Sequence, residues 1–295
     1  MTVVRPPEAL ASDARIRVDV LNDGFFRTDG GAMFGVVPKV MWERKLPPDD
    51  RNRVVMAIRC LLLRVDGRVI LVDTGIGDKL RQRDIELFGV DRKIGLLGEL
   101  AALGVAPDDI DVVVDTHLHF DHAGGNTILD AGLAVPAFPK AEYWIQRGEW
   151  LDATHPSERT RSTYIPENFE PIERSGQLRL FDGAATIAPG ISWLMTPGHT
   201  PHHTCVLIEL AEQSILFTVD VCPFAAHLER IAWVPGVDLE PLVAMETKRR
   251  VIADALRHNR LVVFDHDPRI ISARLAGTAD RWTVEPVDLQ DATRS

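Results

Sequence analysis

Short apolar runs bounded by Gly, Pro, Asn and Asp recur along the chain. Residues 16–22 (IRVDVLN), 54–64 (VVMAIRCLLLR) and 68–73 (RVILVD) read as strands, and Asp66 and Gly67 between the last two form a two-residue hairpin turn. In KIGLLGELAALGV, Ile94, Leu97, Leu100 and Leu103 recur at helical spacing, with Gly104 where such a helix would stop. The strand IDVVVDT follows. AEYWIQ then precedes a helical GEWLDATH, and residues 156–176 are polar and proline-bearing without a sustained period, which predicts a long surface insertion. LRLFD, ISWLMT, HTCVLIEL and SILFTVD predict strands again, LEPLVAMETKRRVIADALRHN a helix, and LVVFDH a further strand. Each half consists of strands followed by helix, although no repeat shows in the letters. No low-complexity linker separates the halves, so the expectation is a single domain over 1–295.

Polar residues crowd the ends of these strands. IDVVV runs into DTHLHFDHAGGN, which brings His117, His119, Asp121 and His122 together in a chain with ten histidines. His199 follows ISWLMT, Asp220 closes SILFTVD, and His266 follows LVVF, so three further chemistry-bearing side chains sit where a strand gives way to a loop. Imidazole and carboxylate donors suit divalent zinc, iron, manganese or cobalt, whereas thiolates would point to structural zinc. Four ligands close a structural site. Seven fit two metals that share a bridging group and keep open positions. Gly124 and Gly125 remove side chains beside the loop and let backbone approach closely. Phe120, read as part of an extended segment, would point away from the ligands into the core.

Composition narrows the field. With 45% hydrophobic and 26% charged residues among 295, the chain is an ordinary globular protein. No apolar run approaches the roughly 20 residues that a bilayer requires, and the N-terminal stretch lacks a signal-peptide core, so no membrane association and a cytoplasmic location are expected. A net charge of −10 gives no basic footprint for nucleic acid. Cys60, Cys205 and Cys222 are too few and too scattered for a disulfide framework or a metal knuckle.

On the His-x-His-x-Asp-His set of His117, His119, Asp121 and His122, the TPGHT loop and the ordered downstream Asp220 and His266, the sequence resembles the metallo-β-lactamase superfamily over roughly residues 55 to 268. The resemblance implies an α/β fold, a four-layer αβ/βα sandwich of two mixed β-sheets flanked by helices. It implies that His117, His119 and His199 hold one metal, Asp121, His122 and His266 a second, and that Asp220 bridges them. Zinc is the first expectation, with iron, manganese or cobalt as alternatives. Asp73, in LVDTG, matches a superfamily aspartate that supports the ligands without joining them.

Departures from individual branches sharpen this. Asp220 stands where the best-known zinc β-lactamases carry cysteine, and His119 where flavodiiron proteins carry glutamate. About 29 residues follow His266, too few for the helical region of glyoxalase II enzymes or the arm of tRNA-processing relatives. The expected activity is hydrolysis of small esters or lactones through a metal-bridging hydroxide, as in acyl-homoserine lactonases. Phosphotriester or phosphodiester hydrolysis at the same centre, as in methyl parathion hydrolases, is the alternative, and a metal-binding module without catalysis a third reading. No Gly-x-Ser-x-Gly supports a serine nucleophile. The expected partner is a small-molecule substrate, and a homodimer is left open.

Many of those lactonases have a tyrosine three residues after the bridging aspartate, where this chain has Pro223. His227 is the substitute expected to donate a proton to the leaving oxygen, with Asp121 and Asp220 as the other catalytic residues. Tyr164, in the 156–176 stretch, is a second way to bring a phenol to the site. One of His202 and His203 is expected to face the interior, and His155 and His258 the surface. Phe34 and Trp233 are expected to line an apolar substrate pocket.

Overall fold

The structure, a computed structural model, describes residues 8–12 and 15–288. The chain forms two compact units, one containing the stretch ending at Gly24 together with Ile58–Ala185, the other Phe25–Ala57 together with the chain from Thr186.

The first seven-stranded sheet uses β1 (Glu8–Ser12), β2 (Ile16–Asp29), β3 (Arg53–Val65), β4 (Arg68–Val72) and β5 (Val112–Val114). Past a separate hairpin of β6 (Thr127–Asp130) and β7 (Leu133–Pro136), β8 (Glu142–Gln146) and β9 (Leu178–Phe181) complete it in the order β1-β2-β3-β4-β5-β8-β9. The unit boundary falls within β2 and within β3. The sheet is mixed: β3 and β4 pair antiparallel, while β4, β5, β8 and β9 run parallel. Asp66 and Gly67 both take positive φ, 48° and 79°, between the paired Val65 and Arg68, which is the primed turn that a right-twisted hairpin needs. Central β5 and the end of β4 read as unbroken apolar runs because both of their faces are buried.

The second sheet runs in sequence order: β10 (Ala185–Ala188), β11 (Ile191–Met195), β12 (Thr204–Glu209), β13 (Ser214–Phe217), β14 (Leu261–Val263), β15 (Ser272–Thr278) and β16 (Arg281–Val287). It is mixed as well, with β13 and β14 parallel and the other registered pairs antiparallel. The crossover between β13 and β14 contains the amphipathic helix Pro241–His258, whose Ala244, Val251, Ile252 and Ala255 are buried. Among the described residues no helix is long and apolar enough to cross a membrane.

Three sequence expectations are corrected here. The helix predicted around 94–103 is Gly95–Ala102, and it buries Leu96 and Leu100 while Ile94 and Leu97 face solvent. The apolar residues there permit two faces, and packing beneath β5 selects the i, i+4 pair. Residues 156–176 are not a loose insertion: they include the helix Glu170–Arg174, and Tyr164, Phe169 and Ile172 are buried in the first unit's core. Phe120 does not lie in an extended segment but opens the short helix Phe120–Ala123, half-buried with its ring 5.2 Å from that of Phe88.

Candidate metal centre

In each sheet the parallel strands end at the chemistry-bearing residues, since β4 leads into Asp73, β5 into His117, β13 into Asp220 and β14 into His266. The carboxyl ends of parallel strands are where α/β folds gather ligands.

Within the first unit, His117, His119, Asp121 and His122 are all buried. The ring of His117 lies 4.6 Å from that of His119 and 4.1 Å from that of His122, centroid to centroid. Asp73, at φ 57°, turns its carboxylate back under this loop. Its Oδ1 accepts the Thr116 amide at 2.8 Å, and its Oδ2 accepts the Thr116 hydroxyl at 2.9 Å and His122 Nδ1 at 3.1 Å. With Nδ1 donating to Asp73, Nε2 of His122 is the nitrogen left to bind metal, and it faces Asp121 Oδ2 at 3.8 Å.

Two further contacts brace the loop. One oxygen of buried Glu149 accepts the amide of Leu118, between the two histidines, at 3.0 Å and the Tyr164 hydroxyl at 2.9 Å. The Tyr164 ring lies 5.1 Å from that of His119, so the phenol reaches the ligand loop with its hydroxyl directed to Glu149. On the other side, Gly124 and Gly125 press against the backbone of 74–76: a Cβ at Gly124 would lie 2.2 Å from the Ile76 carbonyl oxygen, and one at Gly125 2.2 Å from that of Thr74. Lys79 donates to the carbonyls of Gly124 and Thr127. Burial, followed by the charge of Asp73, pushes the Asp115 carboxyl well above the usual range.

The second unit carries the other ligand candidates. Asp220 sits in a 3-10 turn, Val219–Val221, and the preceding Val219 holds φ 48°, an uncommon conformation for a β-branched residue. The two oxygens of Asp220 face different imidazoles: Oδ2 is 2.9 Å from His199 Nε2, and Oδ1 is 3.2 Å from His266 Nε2. Each ring is fixed by its other nitrogen. His199 Nδ1 donates to Asp238 Oδ1 at 2.9 Å, and His266 Nδ1 donates to the Ala57 carbonyl at 2.7 Å. The His199 loop packs on the helix Pro241–His258, where Gly198 at φ 139° leaves no room for a Cβ, which would meet Ala244 Cα at 2.4 Å. Burial alone would lower the His199 pKa, but Asp220 and Asp238 outweigh it and hold the imidazole up at about 10. Asp265 stands beside His266, with Oδ2 3.1 Å from its Nε2.

The donor set fits metal ions. All donors are nitrogen or oxygen, all are buried, and the nitrogens that face the carboxylates belong to rings whose opposite nitrogens are already tied. A cation at Nε2 of His199 would take the place of the proton that the two carboxylates otherwise retain there.

His227 does not fit the expected acid. It is completely buried, its Nε2 donates to the Met33 carbonyl at 2.9 Å, and its ring packs against Phe34 and Phe224 at 5.1 and 5.3 Å. Burial, followed by the charge of Lys248, pushes its pKa down to about 3, so it is neutral where a proton donor would have to be charged. Phe34 is also core and not an exposed lining: it is fully buried, stacked on Trp42 at 5.2 Å with ring planes 2° apart. Trp233 meets it edge-on at 5.8 Å and is itself 6% exposed. The apolar stretch around Phe34 therefore completes an aromatic cluster in the second unit. Buried Lys248 closes that cluster by donating to the carbonyls of His227 and Trp233.

Of the remaining histidines, His203 faces the interior and bonds the Thr196 hydroxyl at 2.9 Å, while His155 and His258 are exposed. Sequence reasoning missed Asp238, Glu149 and Asp265. Asp238 and Glu149 resemble a loop aspartate before a helix and a first-turn helix glutamate, and nothing in the letters ties them to histidines tens of residues away. Asp265 did carry a signal, its place beside His266 at the end of an apolar strand.

The sequence profile of the metallo-beta-lactamase superfamily matches residues 53–263. An N-acyl homoserine lactonase from a Bacillus species is 29% identical over 227 residues, covering 72% of this chain and 82% of the relative. Among solved structures, a probable metal-dependent hydrolase from Staphylococcus aureus is 31% identical, with a TM-score of 0.85 over 93% of this chain and 98% of that one. AidC, described as a dizinc quorum-quenching lactonase, shares the fold with a TM-score of 0.79 at 19% identity, over 96% of this chain and 98% of its own.

Proposed function

Since this chain belongs to the metallo-beta-lactamase superfamily, we propose that it is a dinuclear-metal hydrolase of small esters or lactones. In this reading His117, His119 and His199 hold one divalent metal, Asp121, His122 and His266 hold the other, and Asp220 is shared. The observation that carries it is Asp220, whose two oxygens each face the Nε2 of a different, independently oriented histidine. A carboxylate serving one metal has no need of that arrangement. The 29% identity to an N-acyl homoserine lactonase supports a lactone or ester as substrate class.

Divalent metals held there would supply Lewis acidity, which polarises a carbonyl and lowers the pKa of bound water from 15.7 toward about 7. The residues do the positioning. Asp73, Asp238 and the Ala57 carbonyl fix the tautomers of His122, His199 and His266. Asp121 is the carboxylate that would take up the proton that water gives up. With Pro223 in place of the tyrosine, the Tyr164 hydroxyl directed to Glu149 and His227 neutral, these residues leave stabilisation of the leaving oxygen to what the metals would supply.

The test is a substrate panel on zinc-, manganese- and cobalt-loaded protein: an acyl-homoserine lactone, an aryl ester and a phosphotriester. The expected result is a kcat/KM for lactone or ester well above that for the phosphotriester, abolished by Asp220→Ala. A phosphotriester turned over preferentially would contradict the substrate class, and an active Asp220→Ala variant the metal reading.

A further inference from the structure

The second unit buries carboxylates outside the seven ligands, Asp265 among them. Asp265 is 0% exposed and precedes His266 at the carboxyl end of β14. Its Oδ2 lies 3.1 Å from His266 Nε2, on the nitrogen that Asp220 Oδ1 also approaches, at 3.2 Å. Asp220, Asp265 and His266 offer ligand atoms that all lie within 4.8 Å of one another.

His266 Nδ1 donates to the Ala57 carbonyl, so Nε2 is the ring nitrogen turned toward both carboxylates. A ring nitrogen and two carboxylate oxygens thus converge on one point, a donor arrangement that a divalent cation would fill. Ligands bound to zinc at about 2.0–2.2 Å sit roughly 2.8–3.6 Å apart along the edges of an octahedron or tetrahedron. The separations of 3.1 and 3.2 Å are those of neighbouring ligands on one ion.

We propose that Asp265 is an additional ligand of the metal held by His266, giving that position one carboxylate beyond the Asp121 and Asp220 of the seven-residue set. This rests on the dinuclear reading above. An added carboxylate makes the position richer in oxygen than the one served by His117, His119 and His199, chemistry that suits manganese or iron(II) as well as zinc.

The test compares wild type with Asp265→Asn and Asp265→Ser, the serine because an asparagine oxygen could itself ligate. Each is loaded with zinc and titrated with a chelator, bound zinc is counted, and the metal-free and zinc-loaded forms are melted. Wild type should hold two ions. Both variants should keep one as tightly as wild type and release the other with affinity lowered at least about 10-fold, the low end for losing even an indirect partner. The metal-free variants should melt no lower than metal-free wild type, because a buried charge has been removed, while their gain on adding zinc should shrink.

Variants that retain both ions at wild-type affinity would overturn the proposal. So would variants that melt lower without metal yet gain as much from zinc as wild type, since Asp265 would then be a structural group. Wild type holding fewer than two ions would instead overturn the dinuclear reading itself.

Discussion

His227 shows how a single side chain changes meaning between sequence and fold. By position, seven residues beyond Asp220 and beside the missing tyrosine, it looks like a replacement acid. Burial with Phe34, Phe224 and Lys248 makes it a neutral core residue. The linkage sign follows from the lowered pKa: between about 3 and 6.5 the unfolded chain binds a proton at this site that the native chain does not. Its stability contribution is therefore complete above pH 6.5 and lost as the pH falls toward 3, at up to about 1.4 kcal/mol per pH unit. His227→Gln should reduce the proton uptake of acid unfolding by about one. Equal uptake in variant and wild type, from denaturant melts at pH 4 to 7, would contradict the buried neutral assignment. Asp238 is the reverse case, unremarkable in sequence but bonded to His199. Asp238→Ala should weaken zinc binding by about 10- to 100-fold with the fold intact, measured by chelator competition, and unchanged affinity would remove its orienting role.

At the scale of elements, the strand ends bind the account together. Positions immediately after apolar runs were readable, because a strand's carboxyl end is marked by the change from apolar to polar, and His117, His199, Asp220 and His266 were found that way. What supports those ends was readable only at Tyr164, because Glu149 and Lys79 reach the ligand loop from elements whose own patterns are unremarkable. The stretch 156–176 illustrates the loss: its apolar residues are sparse and aperiodic, yet Tyr164, Phe169 and Ile172 all bury. The loop after β4 and the loop after His122 interlock through glycine on both sides. Gly77, at φ 65°, would place a Cβ 2.3 Å from the carbonyl oxygen of Gly124. Gly77→Ala should cost on the order of 1–3 kcal/mol through backbone strain and displacement of Gly124, and weaken metal retention at Asp121 and His122. A melting temperature and zinc affinity equal to wild type would show that the loops do not brace each other.

For the molecule as a whole, two mixed seven-stranded sheets each present candidate metal ligands at the ends of parallel strands. The fold class and the family were legible because a compact motif and correctly ordered downstream ligands are strong constraints. The apolar residues around Phe34 were not separable into pocket and core, since both demand the same side chains. The central claim is that the seven proposed ligands hold a catalytic pair of metals, and its most direct test is the rate regained as metal is returned to metal-free protein. Hydrolysis of a lactone or aryl ester should rise to its maximum at two equivalents of zinc per chain, in step with bound metal. A maximum reached at one equivalent, or turnover that persists without metal, would contradict the account.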